Sequence, residues 1–219
     1  MAIEVKDYSK ESDEELAQTL HEMSSKEVQL FNADLDRMLH EISSPAARSA
    51  LLKAENLIFR VTRVVMEKHN QRYGGSNAKG EDILASLIRP RDVGFTSTHT
   101  WDFTPGGTGV VDWIATAASP LAMNTEDEAQ VHVGVLTNTG PDNAVESLRY
   151  SKLGTDMTAI PLNAHVLDPD QTVMQYPAAF VVLPAESYHT SARATANITQ
   201  VLALLGIHIT TGTKRKTNF

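Results

Sequence analysis

The sequence contains no cysteine, which excludes disulfides, iron–sulfur clusters, thiolate zinc sites and cysteine nucleophiles at once. Cohesion has to come from packing. Positive charge is scarce as well: 19 Lys and Arg stand against 27 Asp and Glu, a net charge of -8. General binding to a phosphate backbone, which needs cationic partners, is disfavoured by that balance. No apolar run approaches the ~20 residues of a membrane span. Residues 1–15 are acidic where a secretory signal peptide would be basic and then apolar. The expectation is a soluble protein with no signal peptide and no membrane span. Aromatic residues are few, 6% with 2 Trp, yet 42% of the 219 residues are hydrophobic, enough for the core of one medium domain.

What is present divides at a glycine-rich stretch, residues 74–80, whose composition is that of a flexible joint. Before it, Ser12 with Glu15 and Ser24 with Glu27 form two capping-box patterns that mark helix starts. Val28, Phe31, Leu35, Met38 or Leu39, and Ile42 then recur at helical spacing. Ser44 can cap a further helix, Pro45 suits its first position, and Leu51, Ala54, Ile58, Val61 and Val65 carry its apolar face to residues 68–69. Two helices joined by the short Ser43-Ser44 link predict an antiparallel hairpin. Arg60, Arg63, Lys68 and Arg72 sit where cations complement the helix C-terminus. Leu30, Leu52, Leu57 and Val64 fall off the shared seam and should cover another surface. That surface belongs either to the β domain of the same chain or to a neighbouring subunit.

After the joint, one short helical turn is expected over 81–88, stopped by Pro90. The period then changes to two-residue alternation rich in Val, Ile, Thr and aromatics. Eight strands are predicted, over 93–103, 110–116, 129–136, 145–150, 157–160, 172–183, 188–195 and 200–209. Turn signals such as Pro105-Gly106-Gly107 separate them. Eight strands without long helices between them argue for an antiparallel sandwich or barrel, because parallel pairing needs a long crossover at each step. The predicted organisation is therefore α+β: a helical hairpin arm (1–73), a linker (74–80) and a β-sandwich (81–219).

Candidate chemistry is sparse. Of eight histidines none forms His-x-His, the alternate-position pair by which one strand supplies two metal ligands. His99, His132, His165, His189 and His208 fall on separate strands or strand edges, and read as single, half-buried, hydrogen-bonded side chains. No metal and no cofactor is expected. Gly106-Gly107-Thr108-Gly109 lacks the lysine and hydroxyl that close a phosphate loop and precedes a strand, so it reads as a hairpin loop. Ser187 and His189 have no orienting acid in sequence and no nucleophile elbow occurs. An enzyme is not expected. Asp127-Glu128 and the pair Asp168 and Asp170 read as solvated loop acids. Trp101 and Trp113 lie on consecutive predicted strands across the Gly106-Gly107 loop, where the two indoles would be neighbours. They would serve as a core anchor or as an exposed platform for stacking sugars.

One stretch is more informative. Pro177-Ala178-Ala179-Phe180-Val181-Val182-Leu183-Pro184-Ala185-Glu186-Ser187-Tyr188 is followed by Arg193-Ala194-Thr195-Ala196 and by the apolar run 201–209. It resembles the closing strands of single jelly-roll virion proteins of bacterial and archaeal viruses, where an apolar strand ends in Leu-Pro and two further strands complete the sandwich. The resemblance covers about residues 93–210, and the helical first third lies outside it. It implies an eight-stranded jelly roll and a structural subunit of a virus particle, capsid or capsid-associated. Such a subunit acts by self-assembly, with copies of itself and other virion proteins as partners, and resides in virions assembled in the host cytoplasm. Leu30, Leu52, Leu57 and Val64, with the basic tail Lys214-Arg215-Lys216, are the candidate oligomer contacts. The tail is also the one place where nucleic acid contact is expected. The alternative is a β-sandwich module for carbohydrate binding or adhesion that uses Trp101 and Trp113.

Overall fold

The computed structural model describes residues 42, 44–72, 83–95, 100–123, 128–137, 144–152, 155–156, 160–161 and 173–211. The two capping boxes of the first 30 residues, Leu30, the glycine joint, His99, His165, Asp127, the Asp168 and Asp170 pair and the basic tail lie outside them. The described chain runs as α1 (Pro45–Lys53), α2 (Glu55–Arg72), β1 (Ile83–Leu87), a 3-10 turn (Pro90–Val93), β2 (Asp102–Phe103), β3 (Gly109–Ile114), β4 (Leu121–Ala122), β5 (Glu128–Thr137), β6 (Val145–Lys152), β7 (Thr155–Asp156), β8 (Ile160–Pro161), β9 (Val173–Val182), β10 (Ser187–Ala194) and β11 (Gln200–Thr211).

Every strand pairing is antiparallel. The strands form two sheets, the first in the order β1-β11-β5-β9 with β2 beside β11, the second in the order β3-β10-β6-β7 with β4 beside β10 and β8 beside β6. The architecture is thus an antiparallel β-sandwich with two helices. The five longest strands match the Val, Ile, Thr and aromatic runs of the sequence to within two residues at each end.

The start of the β domain differs from expectation. Residues 83–87 are not a helical turn but β1, which pairs with the end of β11 from Ile83↔Thr211 to Leu87↔Ile207. Five residues cannot separate a helix period from a strand period, and the partner strand lies more than a hundred residues away. Pro90 does not stop a helix; it opens the 3-10 turn, which Gly94 closes in the left-handed conformation at φ 83°. Of the strand expected over 93–103, residues 96–99 lie outside the described residues; among the rest, only Asp102 and Phe103 are strand, as β2.

The helix expected over 44–69 starts as anticipated: the Ser44 hydroxyl accepts from the Ala47 amide at 3.4 Å and Pro45 opens α1. It then breaks at Ala54, whose amide donates to the Leu51 carbonyl at 3.0 Å. Nothing in the sequence at that point breaks a helix; the break lets both short helices lie on the sheet. Ile58, Val61 and Val65 of α2 and Ala47, Ala50 and Leu51 of α1 share one buried cluster with Ala85, Ala129, Val131, Val133, Leu205, Ile207 and Ile209 of the first sheet. The two described helices therefore cover the outer face of their own sandwich.

A second cluster fills the space between the sheets, with Trp113, Ile114, Leu148, Tyr150, Tyr188 and Ala192 facing Val135, Met174, Tyr176, Phe180, Val182, Leu202 and Leu204. Strands β5 and β11 are sandwiched between the two clusters and are buried along almost their whole length. They read as strands covered on both faces. The register shifts twice at one level of the sheet: Val133 of β5 is an extra residue opposite the Leu205-Gly206 step of β11, and β9 carries extra residues between Gln175 and Phe180 opposite the His132–Gly134 step of β5. Pro177 lies in β9, an outer strand of its sheet, where the register against β5 shifts, a position that tolerates a missing backbone donor.

Candidate functional site

Burying both faces of β5 and β11 has a chemical consequence, because several side chains on those strands are polar. On β5 the alternate positions Glu128, Gln130 and His132 all turn toward the second sheet, away from Ala129, Val131 and Val133, which meet the helices. On β11, His208 faces the same way between Ile207 and Ile209, and Gln130 is its cross-strand partner. The 3-10 turn brings Asp92 to the other side of the ring.

The outcome is a histidine held between two carboxylates. His208 Nε2 lies 2.7 Å from Glu128 Oε1, and Nδ1 lies 3.7 Å from Asp92 Oδ1. The three side chains are 6%, 9% and 6% exposed. Burial alone would push the imidazole pKa down, but Asp92 and Glu128 outweigh it and hold the value above the ordinary histidine range. Burial likewise opposes ionisation of Asp92; the hydrogen-bonding and charge of His208, with donation from Arg89, prevail and bring its carboxyl to about 2. Asp92 also organises its own turn, accepting from the Arg89 amide at 2.8 Å and from Arg89 Nε at 3.2 Å.

Gln130 joins this cluster to a second polar group. Its Nε2 donates to the Asp92 carbonyl at 3.1 Å, while its Oε1 accepts from the Tyr188 hydroxyl at 2.9 Å and lies 3.0 Å from His132 Nε2. An oxygen that only accepts requires the proton of His132 on Nε2, which leaves Nδ1 as a lone pair without a partner. Burial, with the charge on His208 second, drops the His132 pKa to about 3, so this ring is neutral. It packs against Tyr150, Phe180 and Tyr188 at centroid distances of 5.7, 5.6 and 5.2 Å. The Tyr150 and Tyr176 hydroxyls pair at 2.8 Å.

The cluster holds charge inside the fold. Its members are buried, and the two carboxylates address opposite nitrogens of one ring, so they do not converge on a common ion. Among the described residues no group of His, Asp and Glu side chains forms a metal-binding set. From the sequence His208 reads as an isolated strand residue and Glu128 as a solvated loop acid; in the fold both are buried and lie 2.7 Å apart. The available signal was the alternate-position polar row Glu128, Gln130, His132 inside an apolar strand.

The other expected site residues are dispersed. Trp101 and Trp113 do not face each other across a hairpin: β2 pairs with β11 in the first sheet and β3 with β10 in the second, so the Gly106-Gly107 loop crosses between sheets. Trp113 is buried, and Trp101 is half-buried with its ring edge-on to Phe95 at 5.6 Å. They form no shared exposed platform. Of the helix positions, Val64 is buried, Leu57 packs partly on the helix-facing core and Leu52 is 46% exposed. The outer face of the second sheet is open, with Val110, Asp112, Glu146, Arg149 and Arg193 exposed and Arg193 Nε paired to Glu146 at 3.1 Å. No described helix is long and apolar enough to cross a membrane.

Comparison with known proteins adds little. No family model matches the chain, and no curated protein matches it. Among solved structures, the mosquito-larvicidal Cry4Aa toxin from Bacillus thuringiensis is similar at a TM-score of 0.29 and 13% identity, over 58% of this chain and 23% of the toxin. This chain thus spans about a quarter of the toxin's length. A family 35 carbohydrate binding module from an environmental isolate is similar at a TM-score of 0.27 and 16% identity, over 53% of this chain and 76% of the module. Likenesses this distant carry no argument about function.

Proposed function

We propose that the chain is a structural subunit of a virus particle, capsid or capsid-associated, which acts by assembling with copies of itself and with other virion proteins and catalyses no reaction. The observation that carries this reading is the strand order. β1-β11-β5-β9 facing β3-β10-β6-β7 supports a jelly-roll reading, because the longer strands follow one another in that order; β7, like β2, β4 and β8, has only two residues. Virion shell proteins, lectins and cupins use this arrangement. A cupin-like enzyme needs an open cup between its sheets; here Tyr150, Tyr176, Phe180 and Tyr188 fill that space. A particle subunit needs a rigid body with free flanks, and the second sheet's outer face supplies one.

Size-exclusion chromatography with light scattering, followed by negative-stain microscopy of the full chain, tests the reading. Rings, trimers or shells are expected; a monomer that persists at high concentration overturns it. The same strand order also serves carbohydrate binding, and the half-buried Trp101 keeps that second reading alive in altered form, with one tryptophan instead of two. A glycan-array signal lost in Trp101→Ala, with the fold retained, would favour it over assembly.

A further inference from the structure

We propose that the outer face of the second sheet carries an oxoanion-binding groove, in which Arg149 and Arg193, with the hydroxyls of Ser147 and Ser191, take a sulfate, phosphate or carboxylate group. The inference goes beyond the assembly reading and does not depend on it. Its basis is the register of β6 against β10. Arg149 lies opposite Ser191 and Ser147 lies opposite Arg193, and alternate positions of a strand share a face. The four side chains therefore form a two-by-two block, with the arginines on one diagonal and the serines on the other. Short side chains beside long ones leave a depression. Val110, Ser147, Arg149, Ser191 and Arg193 line a shallow groove of about 120 Å³, room for about four waters at ~30 Å³ each.

The donors that line it are uncommitted. Ser191 is only 9% exposed, and a polar group that deep normally has a partner. Yet among the described residues neither its hydroxyl nor that of Ser147 makes a hydrogen bond. Arg149 is exposed and makes no ion pair or hydrogen bond with any described residue. Arg193 points Nε at Glu146 Oε2, 3.1 Å away, and its Nη groups remain to donate. A guanidinium presents its N–H donors in a rigid planar fork that matches two oxygens of one oxoanion. Two such forks and two hydroxyls around one depression supply donors on several sides of such a group.

The surrounding charges limit the ligand to something small. Glu146 neutralises part of Arg193. Asp112 lies opposite Ser191 on the side away from Arg149, and His189 stands two residues before Ser191 on β10. Strands are ~4.8 Å apart, so the backbones of Asp112 and Arg149 are ~10 Å apart, and no ion pair joins the two side chains. Two cations against two carboxylates leave this part of the face neutral overall. Binding then rests on short-range, charge-assisted hydrogen bonds, with no long-range field to attract a polyanion. One oxoanion group, free or borne on a small sugar acid, meets that description.

The test is a titration of the 15N-labelled full chain with sodium sulfate, replacing sodium chloride at constant ionic strength. It is followed by the side-chain Nε–H signals of Arg149 and Arg193 and the backbone amide of Ser191. Saturable shifts of all three in the millimolar range are expected. Arg149→Gln should weaken binding about ten-fold. Asp112→Asn should tighten it about two-fold, the effect in water of one charge ~10 Å away. Titrations with phosphate, glucuronate and glucose distinguish the source of the anion. Saturation by glucuronate assigns the groove to a carboxylate borne on a small sugar acid, and saturation by sulfate and phosphate without glucuronate assigns it to the free anion. Shifts that grow linearly without saturating, equal binding of glucose, or a sulfate curve unaltered in Arg149→Gln overturn the proposal.

Discussion

Replacing Gly206 by alanine probes the crowding of the doubly covered sheet more sharply than any core truncation. Gly206 of β11 lies beside the extra residue Val133 of β5 and pairs with His132. A methyl built on its Cα would overlap the Val131 carbonyl oxygen and stand 2.9 Å from Ile88 Cδ1 and 3.0 Å from His132 Cα. The Ile88 contact can relax by a rotamer change, but the other two are backbone atoms of the neighbouring strand. Relief therefore requires β11 and β5 to part, and neither can move freely between a helix layer and a second sheet. Overpacking typically costs about 1–3 kcal/mol, occasionally more, and obstruction by backbone places Gly206→Ala at about 3 kcal/mol or above. For a chain of this length that is a fall in Tm of roughly 6–12 °C. Gly107 is the internal control: nothing lies within 4 Å of its added methyl, so Gly107→Ala should be neutral or raise stability by up to about 1 kcal/mol through the unfolded chain. Thermal unfolding followed by circular dichroism measures both. A Gly206→Ala melting temperature within a degree of wild type would refute the close approach of β11 to β5 and the packing argument built on it.

Further outcomes follow from the same packing. Ile58→Ala, at a site with 0% exposure, should lower stability by about 2–5 kcal/mol, whereas Leu52→Ala should stay within about 0.5 kcal/mol; equal urea midpoints for the two would mean that the helices do not pack on the first sheet. Tyr150→Phe and Tyr176→Phe each strand a buried hydroxyl and should cost about 1–3 kcal/mol singly, with the double variant costing less than the sum; strict additivity in that cycle would argue that the hydroxyls do not pair. His132 is neutral in the fold down to about 3 while its unfolded value is 6.5, so below pH 6.5 the unfolded chain binds a proton that the folded chain refuses. Stability attributable to this ring should fall by about 2 kcal/mol between pH 6.5 and pH 5, and urea titrations of His132→Phe should lose that part of the slope. His208 has the opposite sign. Its contribution is complete below the ordinary histidine value and disappears as pH rises through its elevated folded value, so the two rings define opposite limbs of one stability profile.

The long strands were legible because β-branched and aromatic runs survive burial on either one or two faces: residues 129–136 and 200–209 differ from β5 and β11 by one or two residues at their ends. β1 was not legible, since the strand that makes it a strand lies at the far end of the chain. The helix break at Ala54 was hidden for a related reason; Leu-Leu-Lys-Ala-Glu-Asn favours a continuous helix, and only the sheet beneath it dictates otherwise. Trp101 and Trp113 misled because a short glycine loop suggests a hairpin, and nothing local says that the chain changes sheets there. The charged cluster was the hardest to foresee. Asp92, Glu128 and His208 come from three separate elements, with 80 residues between the last two, and each is individually ordinary; their chemistry exists only once the register of β5 against β11 is set.

The position of β11 also governs how the molecule is made. It follows β1 by more than a hundred residues, yet among the described strands it lies between β1 and β5. At synthesis rates of about 5–20 residues per second, β1 waits roughly 6–23 s for β11, its one partner among the described strands. The first sheet therefore closes only after β11 has been made, a long-range pairing of the kind that slows folding.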